Sequence, residues 1–168
     1  MTETEPTLAD GITYMTYFDT DTDAEALRRV LTTAFAMPAD RVYVGLMEHL
    51  GDRDGPLLHV LIEVPEEPGL PCVLTGGNAL ARACGGMTEL ELAQWLCPRL
   101  GTSAFVSNDS PCAVEWYYVG TDGVSSRVIA DEDAVEDGRL VVAHSYDPIP
   151  SRPDVAVIEP PEWSSCWR

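Results

Sequence analysis

Residues 113–119 read AVEWYYV, and this stretch decides the fold. Alternate residues of an extended chain point to opposite sides of a sheet. One side of this stretch therefore carries Val114, Trp116 and Tyr118. The pattern predicts a β-strand with one strongly apolar, aromatic face.

Two more predicted strands follow at short intervals. GTDG at residues 120–123 is typical of a tight reversal, and residues 124–130 continue the alternation of a strand. After an acidic connection, residues 131–138, a third alternating stretch runs through residues 140–146. The three stretches predict an antiparallel meander with short links.

The first half of the chain predicts a strand, a helix and a hairpin. Residues 12–18 alternate as a strand does, and residues 24–35 carry apolar side chains at the spacing of an amphipathic helix. Residues 41–48 and 57–64 form a second pair of strand-like stretches, joined by a polar link that contains glycine. We expect this pair to form another hairpin.

The middle of the chain is less regular. Prolines and glycines interrupt residues 65–77, apart from a short apolar piece at residues 72–74, and residues 78–84 resemble a short helix. Thr88-Glu89-Leu90-Glu91 is a capping box that opens another helix, and residues 104–107 form a further strand. This order predicts an α+β fold, a mostly antiparallel sheet with two to three helices packed on it.

The 168 residues divide into three predicted parts. Residues 1–10 are polar and acidic, and we expect a flexible N-terminus. Residues 11–147 form the single α+β domain. Residues 148–168 are rich in proline and contain Trp163 and Trp167, which predicts an extended C-terminal tail docked on the domain or on a partner.

The charge excludes several classes of function. Twenty-eight acids face ten bases, the net charge is −18, and every base is arginine because the chain has no lysine. Chemistry that requires lysine, such as Schiff-base formation or a P-loop, is excluded. Binding to nucleic acid or to an anionic membrane depends on neutralising phosphate, so neither is expected.

No metal or cofactor site is predicted. The acids from Asp19 to Glu25 resemble a calcium loop, but Ala24 and Val30 occupy the positions that need glycine and glutamate. The five cysteines are widely spaced, without the Cys-x-x-Cys pair of a zinc clip. With no apolar run long enough for a membrane span and an acidic N-terminus, we expect a cytoplasmic protein.

Seven residues are candidates for binding a partner. Five acids crowd the connection between two strands of the meander, and two tryptophans, a residue type common in interfaces, lie near the end of the chain. The candidates are Asp131, Glu132, Asp133, Glu136, Asp137, Trp163 and Trp167.

Three functional hypotheses follow. The first is a small acidic protein that binds a basic protein partner, as bacterial inhibitors, immunity proteins and secretion chaperones do. The second is an enzyme of hydrolase or transferase type, with a dispersed site such as Cys84 or Cys112 paired with His59 or His144. The third is general acidification, in which the charge serves solubility. The sequence favours a binding protein over an enzyme, and it leaves the oligomeric state open.

We predict that all five cysteines are reduced and structural. Titration with Ellman's reagent should find five thiols before any reductant is added. A full count that emerges only after reduction would contradict the cytoplasmic interpretation.

Overall fold

The computed structural model of the chain describes residues 13–52 and 57–162. Its strands are β1 (Tyr14–Phe18), β2 (Val42–Gly45), β3 (Val60–Glu63), β4 (Cys72–Gly76), β5 (Ala104–Ser107), β6 (Glu115–Val119), β7 (Ser125–Ala130) and β8 (Val142–Ser145). Its helices are α1 (Ala24–Ala34), α2 (Asn78–Ala83), α3 (Glu89–Leu100) and α4 (Glu132–Glu136), with 3₁₀ turns at Ala39–Arg41 and Met47–Asp52. The α+β class is confirmed, with four helices where two to three were predicted.

All eight strands belong to one sheet in the order β2-β3-β4-β1-β5-β6-β7-β8. The predicted meander is present, because β6, β7 and β8 are antiparallel neighbours. Trp116 of β6 lies opposite Val128 of β7, so the predicted aromatic face is also present.

The centre of the sheet contains a strand that the sequence analysis missed. β4 pairs with β1 from Tyr14↔Gly76 to Phe18↔Cys72, and its other edge pairs with β3. The last residue of the strand is Gly76. A side chain at that position would collide with Leu80 of α2. The glycines and prolines around residues 72–74 therefore mark the ends of a short buried strand.

The predicted hairpin of residues 41–48 and 57–64 is wrong, because β2 and β3 run parallel. After Gly45 the chain enters the 3₁₀ turn and returns to the end of the sheet from which β2 began. Leu50 and Leu58 of this connection are buried in a small cluster with Tyr43 and Leu61.

The main core lies between the sheet and the helices α1 and α3. Buried side chains of the two helices, including Leu31 and Leu96, pack against the strands in one cluster with Phe18, Leu74 and Val106. Helix α3 begins with the predicted capping box, in which Thr88 and Glu91 satisfy each other's backbone N–H groups.

The opposite face of the sheet is covered in part by the C-terminal segment. Phe105, Tyr118 and Val128 cluster there with Ile149, which follows β8. Ser145 donates its backbone N–H to Ala156 and accepts from the N–H of Ile158, at 2.9 and 2.8 Å. The tail therefore docks on its own domain as far as it is described, whereas Trp163 and Trp167 lie outside the described residues.

Four cysteines fall within the described residues, and all four are free. Cys72, Cys84 and Cys97 are buried, and Cys112 is half-buried. Burial raises the pKa of the Cys72 thiol to about 11 and that of Cys97 to about 12. Cys166 lies outside the described residues.

We predict that Leu74→Ala destabilises the protein more than Trp116→Ala does. Leu74 is fully buried in a central strand, so its truncation should cost about 3–5 kcal/mol of unfolding free energy. Trp116 is half-buried on the opposite face, so its truncation should cost about 2 kcal/mol. Urea denaturation of both variants checks this, and the reverse order would mean that the centre of the sheet is misassigned.

Candidate binding cleft

A row of side chains crosses the sheet on the face opposite α1 and α3. From β3 through β4, β1 and β5 to β6, the register aligns Glu63, Val73, Tyr17, Phe105 and Tyr118. The aromatic rings pack edge to face, with centroids 5.4 Å apart for Phe105 and Tyr118. Trp116 packs in the same way on Tyr17, at 5.5 Å. The row is therefore acidic at one end and aromatic in the middle.

Two cavities open over this row and together form what we call the cleft. The first, of about 270 Å³, lies over Phe105 and Tyr118 and is bordered by Asp19, Leu140 and Arg152. The second, of about 330 Å³, lies over the acidic end of the row. Its lining includes Tyr17, Glu63, Glu66, Leu70, Pro71 and Gly138. Tyr17 and Pro71 line both cavities, so the two are adjoining parts of one depression.

The second cavity concentrates negative charge. Burial raises the pKa of Glu63, and the nearby charge of Glu66 raises it further. Burial also raises the pKa of the Tyr17 hydroxyl, to which the charges of Glu89 and Glu63 contribute. Two carboxylates beside an aromatic ring form an environment that favours a cation.

The basic residue of the first cavity is already paired. Arg152 donates to both carboxylate oxygens of Asp154, at 3.0 and 2.9 Å. These hydrogen bonds raise the pKa of Arg152 and lower that of Asp154. Because the ion pair cancels the guanidinium charge, the cleft does not become attractive to anions.

The five acidic candidates lie together in and around α4. The acidic connection contains a helical turn, which Asp131 caps by accepting the backbone N–H of Ala134 at 2.9 Å. All five carboxylates are exposed. Gly138 follows them with φ of 75° and lines the second cavity. The acidic segment, residues 131–137, thus leads directly to the cleft.

The loop between β3 and β4 contacts the segment that follows α4. Gly69 has φ of 92°, and a Cβ there would lie 3.3 Å from Nε of Arg139. The Arg139 side chain therefore packs closely on the loop between β3 and β4. This contact holds the loop that carries Glu66 beside the segment that follows α4.

Several residues of the cleft were missed by the sequence analysis. Tyr17 and Glu63 fall in predicted strands, but their meeting depends on β4, which was not predicted. Glu66 sits in a proline-rich loop with no distinguishing pattern. The signal available in the sequence was the density of acids at both places.

The residues of the enzymatic alternative are placed apart from the cleft. Cys84 follows α2 and its Sγ lies 3.5 Å from the hydroxyl of Tyr14, in β1. His144 lies in β8, four strands from β1 in the sheet. Within residues 13–52 and 57–162, no three side chains of His, Cys, Asp or Glu are grouped so as to hold a metal ion. The enzymatic alternative stays a prediction.

Comparison with known proteins identifies no relative: no family model, curated protein or solved structure matches the chain significantly. Among the described residues, no helix has the length and apolar character needed to cross a membrane.

A half-buried carboxyl group, that of Glu89, lies at the start of α3, where β1 and β5 separate. β1 pairs with β5 only at Tyr17 and Phe18 within the described sheet. Beyond that point, Oε1 of Glu89 and Oγ1 of Thr16 are both buried without a hydrogen-bond partner among the described residues. Burial raises the pKa of Glu89 to about 7, and the charge of Asp109 adds to the rise. Weak interactions with the backbone of Met15 and the side chain of Thr16 offset only part of it.

We predict that Glu89→Gln stabilises the protein above about pH 7 and has little effect at pH 4. A raised carboxyl pKa means that the folded state binds the proton more tightly, so wild-type stability falls as pH rises from about 4.5 through 7. Glutamine resembles the protonated acid and avoids this loss. The expected gain at pH 8 is about 1–2 kcal/mol, less than the full shift because the carboxyl is partly exposed.

Denaturant unfolding of wild type and variant at pH 4, 6 and 8 measures this difference. Glu91→Gln is the matched control, because it removes an exposed charge from the same helical turn and glutamine can still complete the capping box. A Glu89→Gln effect that does not change with pH would contradict the raised pKa of the Glu89 carboxyl.

Proposed function

We propose that this protein binds a basic protein partner through the cleft and the adjoining acidic segment, residues 131–137. The observation that carries the proposal is the junction at Gly138, where five exposed carboxylates lead into a cavity lined by Glu63 and Glu66. The role fits a cytoplasmic inhibitor, immunity or chaperone-like protein, whose task is to occupy a basic surface of another protein.

The two parts of the surface would act at different stages. Exposed charge attracts an oppositely charged partner over a distance and mainly accelerates the encounter. The aromatic side chains of the row offer apolar contact area. Binding would exclude water from this area, which slows dissociation. The acidic segment therefore sets the association rate, whereas the cleft sets the lifetime of the complex.

General acidification differs from this proposal in one measurable respect. If the charge only serves solubility, acids anywhere on the surface are equivalent. If the acidic segment steers a partner, its charges count more than the same number of charges elsewhere.

We predict that neutralising the acidic segment lowers the association rate about tenfold at low salt. The variant carries Asp131→Asn, Glu132→Gln, Asp133→Asn, Glu136→Gln and Asp137→Asn. Asparagine caps helices as well as aspartate does, so α4 keeps its first turn. Salt at 0.1 M and above should remove most of the difference, because screening acts within about 10 Å.

The measurement uses a basic protein captured by the immobilised chain, with stopped-flow association rates at two salt concentrations. A control variant with amides at Glu25, Asp40, Glu48, Glu91 and Asp122 removes the same number of exposed charges away from the cleft. Equal rates for the two variants would reject the proposal in favour of general acidification. Capture of no basic protein would reject it as well.

A further inference from the structure

We propose that the second cavity of the cleft is a pocket for one arginine side chain of the basic partner. The inference rests on the proposed function and deepens it, since it names the group that is recognised. The pocket is formed by Glu63 and Glu66 with the ring of Tyr17 beside them.

The two carboxylates supply the charge that such a pocket needs. Glu66 is near enough to Glu63 for its charge to raise the pKa of that carboxyl, and Glu63 is half-buried. Within the described residues, neither forms an ion pair with an arginine of the same chain. A bound cation would relieve the repulsion between the two acids and replace the water that a half-buried carboxylate loses.

Tyr17 supplies a flat surface in a fixed orientation. Its hydroxyl donates to the sulfur of Met15 at 2.9 Å, and Trp116 packs against its ring. These two contacts restrict rotation of the ring, and Tyr17 lines both cavities. Cations over aromatic faces are attracted by the ring quadrupole.

The geometry selects guanidinium over ammonium. Guanidinium is planar, sheds water more readily than ammonium, and can donate two parallel hydrogen bonds to one carboxylate while stacking on an aromatic ring. An ammonium group is compact and strongly hydrated, so it would use the charge but not the ring. The first cavity, over Phe105 and Tyr118, then receives an apolar neighbour of that arginine.

The test is an NMR titration with small probes, which does not require the partner. N-acetyl-arginine N-methylamide should shift the backbone amide signals of Tyr17, Glu63, Glu66 and Gly138. The citrulline analogue has almost the same shape without the charge, and it should bind about tenfold more weakly. The lysine analogue should bind about threefold more weakly than arginine. Equal binding of arginine and citrulline, or of arginine and lysine, would overturn the assignment.

Variants of the pocket give a second readout. The double variant Glu63→Gln and Glu66→Gln should lose about tenfold in affinity for the arginine probe. Glu67→Gln is the matched control, because Glu67 adjoins Glu66 and is exposed as Glu66 is, but does not line the cavity. A loss no larger than that of Glu67→Gln would overturn the proposal, and the wild-type comparison with citrulline decides it if the double variant fails to fold.

The outcome separates this inference from the proposed function. If the captured partner still depends on the acidic segment for its association rate while the arginine probe does not bind, the pocket is rejected and the proposed function stands. If the probe binds with the expected selectivity but no basic protein is captured, the pocket stands as a guanidinium site and the proposed function is rejected.

Discussion

The antiparallel ladder between β1 and β4 is the interaction on which the rest of the structure depends. It joins five residues of β1 to five of β4 and places both strands in the middle of the sheet. One face of this ladder presents Phe18 and Leu74 to α1 and α3, and the other presents Tyr17 and Val73 to the cleft. Core and cleft are therefore two faces of the same pairing, and neither could form without it.

The cleft combines features that oppose each other in the unbound protein. Glu63 and Glu66 repel each other, and the chain carries a net charge of −18, which disfavours compact folding. The large apolar core compensates for this repulsion. A surface that is unfavourable by itself but complementary to a cation is what the proposed binding of a basic partner requires.

The sequence predicted the elements whose signals are local. The meander from β6 to β8 follows from alternation and short links, and the start of α3 follows from its capping box. It could not predict the parallel pairing of β2 and β3, because two strand-like stretches with a polar link are also typical of a hairpin. Nor could it predict β4, whose five residues lie between Pro71 and Gly77 and show no distinctive period.

The residues of the candidate site also differ in whether the sequence could predict them. The acidic segment was visible in the sequence because its residues are neighbours in the chain. Tyr17 meets Glu63 and Glu66 only through strand pairings between distant segments, and Gly138 lines the same cavity from the segment that follows α4. Local composition therefore located one edge of the cleft, while its interior depended on the three-dimensional arrangement.

The central position of β1 also affects how the protein is made. On the ribosome β1 is made before the other described strands, but its first neighbour, β4, is complete only when residue 76 has been synthesised, and β5 follows at residue 107. Until β4 has been made, Tyr14 and Phe18 have no partner strand, and their apolar side chains face the surroundings of the nascent chain. The pairing of β1 therefore cannot begin before β4 has been made, and its apolar side chains stay accessible to chaperones during that interval.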